Sequence, residues 1–330
     1  MSKPSLPRWI IPVAGIIISA AAIYYLTTKI DLKQAWQLLL ESNPLIVTGM
    51  VVVYLSGFIL RGFRWKLMLK DISSINFKLS LKSIILGYAG NNVLPARGGE
   101  FVRMEYFSRF SHVSRVTSLS SIFTERMFDG MSIVFILLCS ILLENDPRLH
   151  TPQIMRVTVL GSVFFIGAVV TLIVIGMNSQ ALLGYFGRIA EGKSFLLFGQ
   201  KIIARLGDAL LFVKRFQTLL RVTLLSLAIW AVEGLVFGLA IINFGLDISP
   251  PAAFVTLAVV NLGLLIPSSP AFIGVFHGLV VLALGMYGVV SETALSLAIL
   301  VHATMVIPIT TLGGLILIRD SLAANSLSQN

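Results

Sequence analysis

The sequence predicts an all-α polytopic membrane protein, with about six spanning helices and two re-entrant hairpins in an inverted repeat and both termini cytoplasmic. Three observations carry this. Hydrophobic residues make up 56% of the 330 and charged residues only 12%, whereas an ordinary soluble domain carries roughly a quarter charged residues. Apolar runs approaching the ~20 residues that a helix needs to cross hydrocarbon recur along the whole chain. The basic residues collect in alternate connections.

The first apolar run, Trp9–Thr28, follows Lys3 and Arg8. It is longer than a signal-peptide core, so it is read as a retained helix, although Ala20-Ala21-Ala22 resembles a cleavage site. Further spans are expected at Pro44–Leu60, Leu119–Leu143, Val157–Met177, Val222–Leu246 and Ala294–Ile318. Two apolar stretches differ. Leu81–Pro95 is short and ends at Pro95-Ala96-Arg97-Gly98-Gly99-Glu100, and the following Phe101–Phe110 carries Arg103, Glu105 and Arg109, too polar to cross lipid. Ala252–Val290 is interrupted at Pro267-Ser268-Ser269-Pro270. Both are expected to enter the membrane and return, a path tolerated only where protein or water covers the exposed backbone.

With both stretches as hairpins, only Lys29, Lys33, Arg148 and Arg156 fall outside, Arg126 lies within a span, and every other Lys and Arg falls inside. A full crossing by Leu81–Pro95 turns Arg97, Arg103, Arg109 and Arg115 outward, against the cytoplasmic bias of basic loops. The resulting order of span, span, hairpin, span repeats with directions reversed. It divides one membrane domain, 1–330, into repeats 9–143 and 157–318. Residues 178–221 place Ile202, Ile203, Leu206, Leu210, Val213 and Leu220 at helical spacing among Lys201, Arg205, Lys214 and Arg215. That pattern suits a cytoplasmic interfacial linker helix on anionic lipid, or a solvated basic loop.

The first hairpin tip is a candidate site. Gly98 and Gly99 let the backbone turn and expose N–H groups, and a helix starting near Gly99 points its positive end at the same place. With Arg97 as charged partner and Asn92 and Glu100 alongside, the tip suits an anionic headgroup. The plainer alternatives are that Arg97 snorkels to the surface or pairs with Glu100. In the second tip, Ser269 before Pro270 matches an N-cap serine with proline at the first helical position, so that Ser268 and Ser269 either receive a phosphate or only cap a helix. His277 and His302 read as packed polar residues.

Inside the third full span, Glu125 and Asp129 share a helix face and Arg126 reaches Asp129. Ionisable groups at membrane depth pair or line a cavity. This trio carries an excess negative charge, which a proton, a lipid amine or a hairpin arginine such as Arg97 or Arg103 completes. Glu233, alone in its span, reads as a proton carrier or as a neutral, hydrogen-bonded carboxyl. Cys139 is the single cysteine, which leaves no disulfide framework and no cysteine metal site; no metal or cofactor is expected.

Gly87-Tyr88-Ala89-Gly90-Asn91-Asn92-Val93-Leu94-Pro95-Ala96-Arg97-Gly98-Gly99-Glu100, then Glu125-Arg126 and Asp129, then Pro267-Ser268-Ser269-Pro270 with Gly274, form a set of motifs. Together they resemble the flippase-like transmembrane family named after lysylphosphatidylglycerol synthase, from residue 8 to residue 319. The third motif departs from the family pattern, which usually has a glycine where Ala271 or Phe272 stands.

The resemblance implies a multi-pass protein of the cell (inner) membrane that moves a lipid between leaflets. The lipid class is anionic or zwitterionic, aminoacylated and polyprenyl-linked lipids included. In the synthases aminoacyl transfer belongs to a soluble C-terminal domain, and this chain stops eleven residues after Arg319, so no enzyme activity is expected. One alternative is a non-transporting membrane accessory protein, partnered with lipid or glycan biosynthetic enzymes. Another is a lipid-modifying transferase, although no Asp-rich metal motif, P-loop or nucleophile beside a base is found. Membrane lipids are the expected partners, and nucleic acid is not.

Overall fold

The computed structural model describes residues 10–95, 97–144, 152–189, 204, 206–266 and 268–328. Helices and their connections account for all of them, with no strand among the described residues. The predicted Trp9–Thr28 run becomes α1, Ile10–Lys29. The chain then turns by 89° into a short α2, Leu32–Leu40, which the sequence reading missed. Asp31 makes the turn: its Oδ1 accepts from Lys33 N at 2.9 Å and Gln34 N at 3.1 Å, satisfying donors that a helix start leaves open.

The second run is longer than predicted. Asn43 caps and Pro44 opens α3, which continues past Leu60 to Leu69. Arg61 and Arg64 were expected in a loop; they are instead buried on this helix, because carboxylates from other helices meet them there. The short run forms α4, Phe77–Val93, and the polar segment after the first break forms α5, Gly99–Ser111. Then come α6, Arg115–Leu143, and α7, Pro152–Ile189, the latter broken at Asn178. The second half continues with α8, Phe216–Asn243; α9, Pro251–Gly263; α10, Val275–Gly285; and α11, Ser291–Ser328.

Five of the described helices are long and apolar enough to cross a membrane: Pro44–Leu69, Arg115–Leu143, Thr158–Tyr185, Phe216–Asn243 and Ser291–Leu322. Val13–Lys29 with Leu32–Leu40 makes a sixth if the bent pair is one span. This is a multi-pass membrane protein. By contrast α5 and α9, 13 residues each, reach only about 20 Å at 1.5 Å per residue, short of the ~30 Å hydrocarbon core.

Packing is centred on α3 against α8, with α4, α6, α9 and α11 around that pair. One apolar cluster runs through them, from Met50 and Phe58 on α3 to Phe237 on α8 and Val301 on α11. The outward side chains of α7, among them Leu160, Val163 and Phe164, are exposed, as lipid-facing positions must be. In the linker region, Ile202, Ile203, Lys201 and Arg205 lie outside the described residues, whereas Leu210, Phe212 and Val213 are buried in the central cluster and Leu220 is exposed.

Close approach of α4 and α5 depends on glycine. A Cβ on Gly99 would stand 1.9 Å from the Gly87 carbonyl oxygen and 2.4 Å from Asn91 N, and one on Gly90 would stand 2.7 Å from the Gly99 Cα. Small residues at such a crossing let two backbones touch. The contact fixes the first break, and with it Arg97, beside α4.

Candidate functional site

The charged side chains converge from α3, α5, α6 and α8. Arg64 Nη1 lies 2.6 Å from Asp129 Oδ1, and its Nη2 lies 3.1 Å from Glu125 Oε1. Arg103 runs across Gly87 and binds Glu125 with both terminal nitrogens, at 2.7 and 3.3 Å, while its guanidinium carbon sits 3.9 Å from the Trp65 ring centroid. Glu125, Arg64 and Arg103 are fully buried. Arg126 holds Glu100 at 2.6 Å and Asp129 at 3.3 Å. Arg61 pairs with Glu233 and donates to Tyr88 Oη at 3.1 Å. Trp230 Nε1 donates to Asp129 Oδ1 at 3.0 Å, and Ser226 Oγ accepts from Arg64 at 2.7 Å.

These pairs supply what membrane-depth charges need, a nearby opposite charge and further hydrogen bonds. Arg61, Arg64, Arg103 and Arg126 are matched in number by Glu100, Glu125, Asp129 and Glu233. Arg97 is left over. Among the described residues no carboxylate pairs with it; its Nη2 donates to the Leu264 carbonyl at 3.0 Å, and its guanidinium carbon lies 5.8 Å from the Phe272 ring centroid. Arg97 sits in the left-handed region at φ 56°, and Ala271 and Phe272 across from it do the same at 52° and 58°. Both breaks thus turn sharply where they face each other.

Between them lies a cavity of about 120 Å³ lined by Tyr88, Asn91, Asn92, Arg97, Glu100, Arg126, Trp230, Glu233, Asn261, Leu264 and Phe272. A second lobe of about 120 Å³ shares Tyr88, Asn92, Glu233, Asn261, Leu264 and Phe272 and continues to Tyr54, Phe276 and His302. Asn91 Oδ1, on the rim of the first lobe, is buried without a hydrogen-bond partner. The space joins a cation that has no carboxylate partner among the described residues, side-chain amides, the arginine-paired carboxylates of Glu100 and Glu233, and an apolar wall, so it offers partners to both a phosphate and an amine.

Of the residues singled out from sequence, Asn92, Arg97, Glu100, Arg126 and Glu233 meet at this cavity, with Asp129 one contact behind. Asn92 also ties α4 to α11 through Thr310 Oγ1 at 2.9 Å. Gly98 and Gly99 form the turn itself. Glu125 lies deeper and its excess charge is met by Arg103, as one alternative held, and by Arg64, which was not foreseen. Arg97 does not pair with Glu100, which Arg126 occupies. Glu233 has the partner Arg61, so it is not isolated.

The second tip departs from expectation. Ser269 makes no side-chain cap; its Oγ donates to the Ile273 carbonyl at 3.2 Å, and its N–H donates to Ser19 Oγ on α1 at 2.9 Å. Ser268 is buried with its Oγ unpartnered and does not line the cavity. The left-handed turn at Ala271 and Phe272 consumes the short helix that a cap would have started. Ala96 and Pro267 of the two tips lie outside the described residues. His302 Nε2 is 2.7 Å from the Ala271 carbonyl and His277 packs edge-on against it, so both are packed polar residues. No group of three or more His, Cys, Asp or Glu side chains suited to a metal ion occurs among the described residues.

Arg61, Arg64, Tyr88, Trp230 and Asn261 were missed. The two arginines, spaced i, i+3, follow an apolar run that no proline ends, so continuation of the helix was legible although their carboxylate partners were not.

A family profile described as the lysylphosphatidylglycerol synthase TM region matches residues 13–313. The chain belongs to this family. Glycosyltransferase AglD of Haloferax volcanii is similar at 22% identity over 330 aligned residues, covering 91% of this chain and 53% of that protein. A UPF0104 membrane protein of Methanocaldococcus jannaschii is 27% identical over 123 residues, covering 36% of this chain and 37% of the relative. The chain thus spans about half the length of AglD.

Proposed function

We propose that this family member moves a lipid with an anionic or zwitterionic headgroup between leaflets, the headgroup passing through the cavity beside Arg97 while the tails stay in lipid. The observation that carries this reading is Arg97, left without a carboxylate among the described residues of an otherwise matched buried charge network and facing a polar cavity between two broken segments. A phosphate there would meet Arg97 and the Asn91, Asn92 and Asn261 amides, and a headgroup amine would meet Glu100 or Glu233. Aminoacylated and polyprenyl-linked lipids fall within this class.

On this reading α4–α5 and α9–α10 are re-entrant hairpins of an inverted repeat, with both termini cytoplasmic and the protein in the cell (inner) membrane. Support comes from the shortness of these helices, the matching order of elements in the two halves, and the distribution of basic residues. Catalysis forms no part of the proposal. The test is translocation of fluorescent phospholipids in proteoliposomes. Faster leaflet exchange for at least one charged headgroup supports transport, and equal rates with and without protein across the headgroup set count against it.

A second reading has its own support. The name of AglD links that relative to glycosyl transfer, so this chain is alternatively a non-transporting accessory of a lipid or glycan pathway that recruits biosynthetic enzymes. On that reading Arg97→Ala leaves pathway output intact while changes on exposed loops do not. A lipid-modifying transferase is tested by turnover of a lipid-linked glycan acceptor with purified protein.

A further inference from the structure

On the far side of the α3–α8 pair from the cavity's lining, the two helices present the same spacing to the membrane. Phe63, Lys66, Leu67 and Lys70 on α3, and Arg221, Leu224, Leu225 and Ala228 on α8, each fall at i, i+3, i+4 and i+7, one face of a helix. Together they line a crevice of about 630 Å³, the size of a small-molecule pocket. The cations sit at one end of it: Lys66 in the last turn of α3, Lys70 at its cap, and Arg221 near the start of α8. All three are exposed, and none has a carboxylate partner among the described residues. Asp71, the acid nearest in sequence, is taken by Arg215 at 3.2 Å.

We propose that this crevice is a binding site for an anionic phospholipid of the surrounding bilayer, its phosphate held by Lys66, Lys70 and Arg221 and an acyl chain lying between α3 and α8. Charge complementarity selects this occupant: the walls are hydrocarbon and the one polar end is wholly cationic. A zwitterionic lipid brings no net charge to three clustered cations, whereas each basic residue near a membrane surface strengthens the hold on an anionic one. Because α3 and α8 also carry Arg61, Arg64 and Glu233, a lipid seated here braces the pair that bears the central charges. The site is separate from the cavity beside Arg97 and does not depend on the transport reading.

Native mass spectrometry of the detergent-solubilised protein, with phosphatidylglycerol or phosphatidylcholine added at equal concentration, tests it. Phosphatidylglycerol adducts should dominate. The triple variant Lys66→Gln, Lys70→Gln, Arg221→Gln should weaken phosphatidylglycerol binding by at least about tenfold. Ala228→Phe, which fills the crevice and leaves the charges, should weaken it too. Lys33→Gln, which removes an exposed cation on α2 that lines neither the crevice nor the cavity, should leave this binding unchanged. Equal adducts of the two lipids, full retention in the triple variant, an equal loss in Lys33→Gln, or complete displacement by inorganic phosphate each overturns the proposal.

Discussion

Arg97 Nη2 donates to the Leu264 carbonyl oxygen across 3.0 Å, joining the turn after α4 to the turn after α9. The bond is made by a residue in the left-handed region, φ 56°, a conformation that costs of order 1–3 kcal/mol for a residue other than glycine. A structural tether would more cheaply use a glycine turn and a different side chain. The strain, the missing carboxylate and the cavity together suit an arginine held ready for an anion.

Arg97→Ala should therefore separate function from stability. A hydrogen bond to a charged group contributes about 1.5–3 kcal/mol, so the rate of lipid translocation in proteoliposomes should fall about ten- to a hundredfold. The thermal unfolding midpoint should fall only by the loss of the one hydrogen bond to the Leu264 carbonyl, far less than for a broken buried ion pair. Unchanged translocation would remove Arg97 from the mechanism.

Glu125→Gln should do the reverse. It strips Arg103 and half of Arg64's pairing in a fully buried place, where breaking a pair costs about 3–5 kcal/mol. The double variant Arg103→Met, Glu125→Leu should recover part of that loss, since it removes the stranded charge with its partner. Thermal unfolding in detergent reads both. If the double variant loses the sum of the losses of Arg103→Met and Glu125→Leu measured singly, the pair is not coupled.

Gly99→Ala should abolish the folded protein or shift its unfolding sharply down, because its Cβ meets the Gly87 carbonyl at 1.9 Å. Gly49→Ala on α3 is the control. Nothing lies within 4 Å of its Cβ, and alanine favours helix over glycine by about 1 kcal/mol. Yield and size-exclusion profile of the two variants compare them.

The reach of the sequence is clear from particular residues. The apolar runs gave α1, α3, α6, α8 and α11, because nothing but a membrane helix buries twenty such residues, and Gly99 was placed at a helix start. Arg61 and Arg64 were misassigned to a loop, since charge at the end of an apolar run looks the same whether it faces water or a carboxylate from 65 or 172 residues away. Ser269 looked like a cap because the Ser-Pro pattern is local, whereas its Oγ turns to the Ile273 carbonyl and its backbone N–H is taken by Ser19 of α1. Long-range partners leave no trace in spacing.

Sidedness is open to a direct test. In a Cys139→Ser background, Phe110→Cys, an exposed position on α5, should be shielded from a membrane-impermeant maleimide in intact cells, and Glu41→Cys, in the connection before α3, should react. The opposite pattern would place α5 outside and reverse the proposed direction of every helix.

The most direct measurement of the central claim is photolabelling with a phospholipid that carries a diazirine in its headgroup, in native membranes, with adducts mapped by mass spectrometry. Adducts on peptides spanning 88–100 and 261–276, competed by unlabelled lipid of the transported class, are the expected result. Adducts confined to lipid-facing positions of α7 such as Val163 and Phe164, with none at the two breaks, would contradict a headgroup site between them.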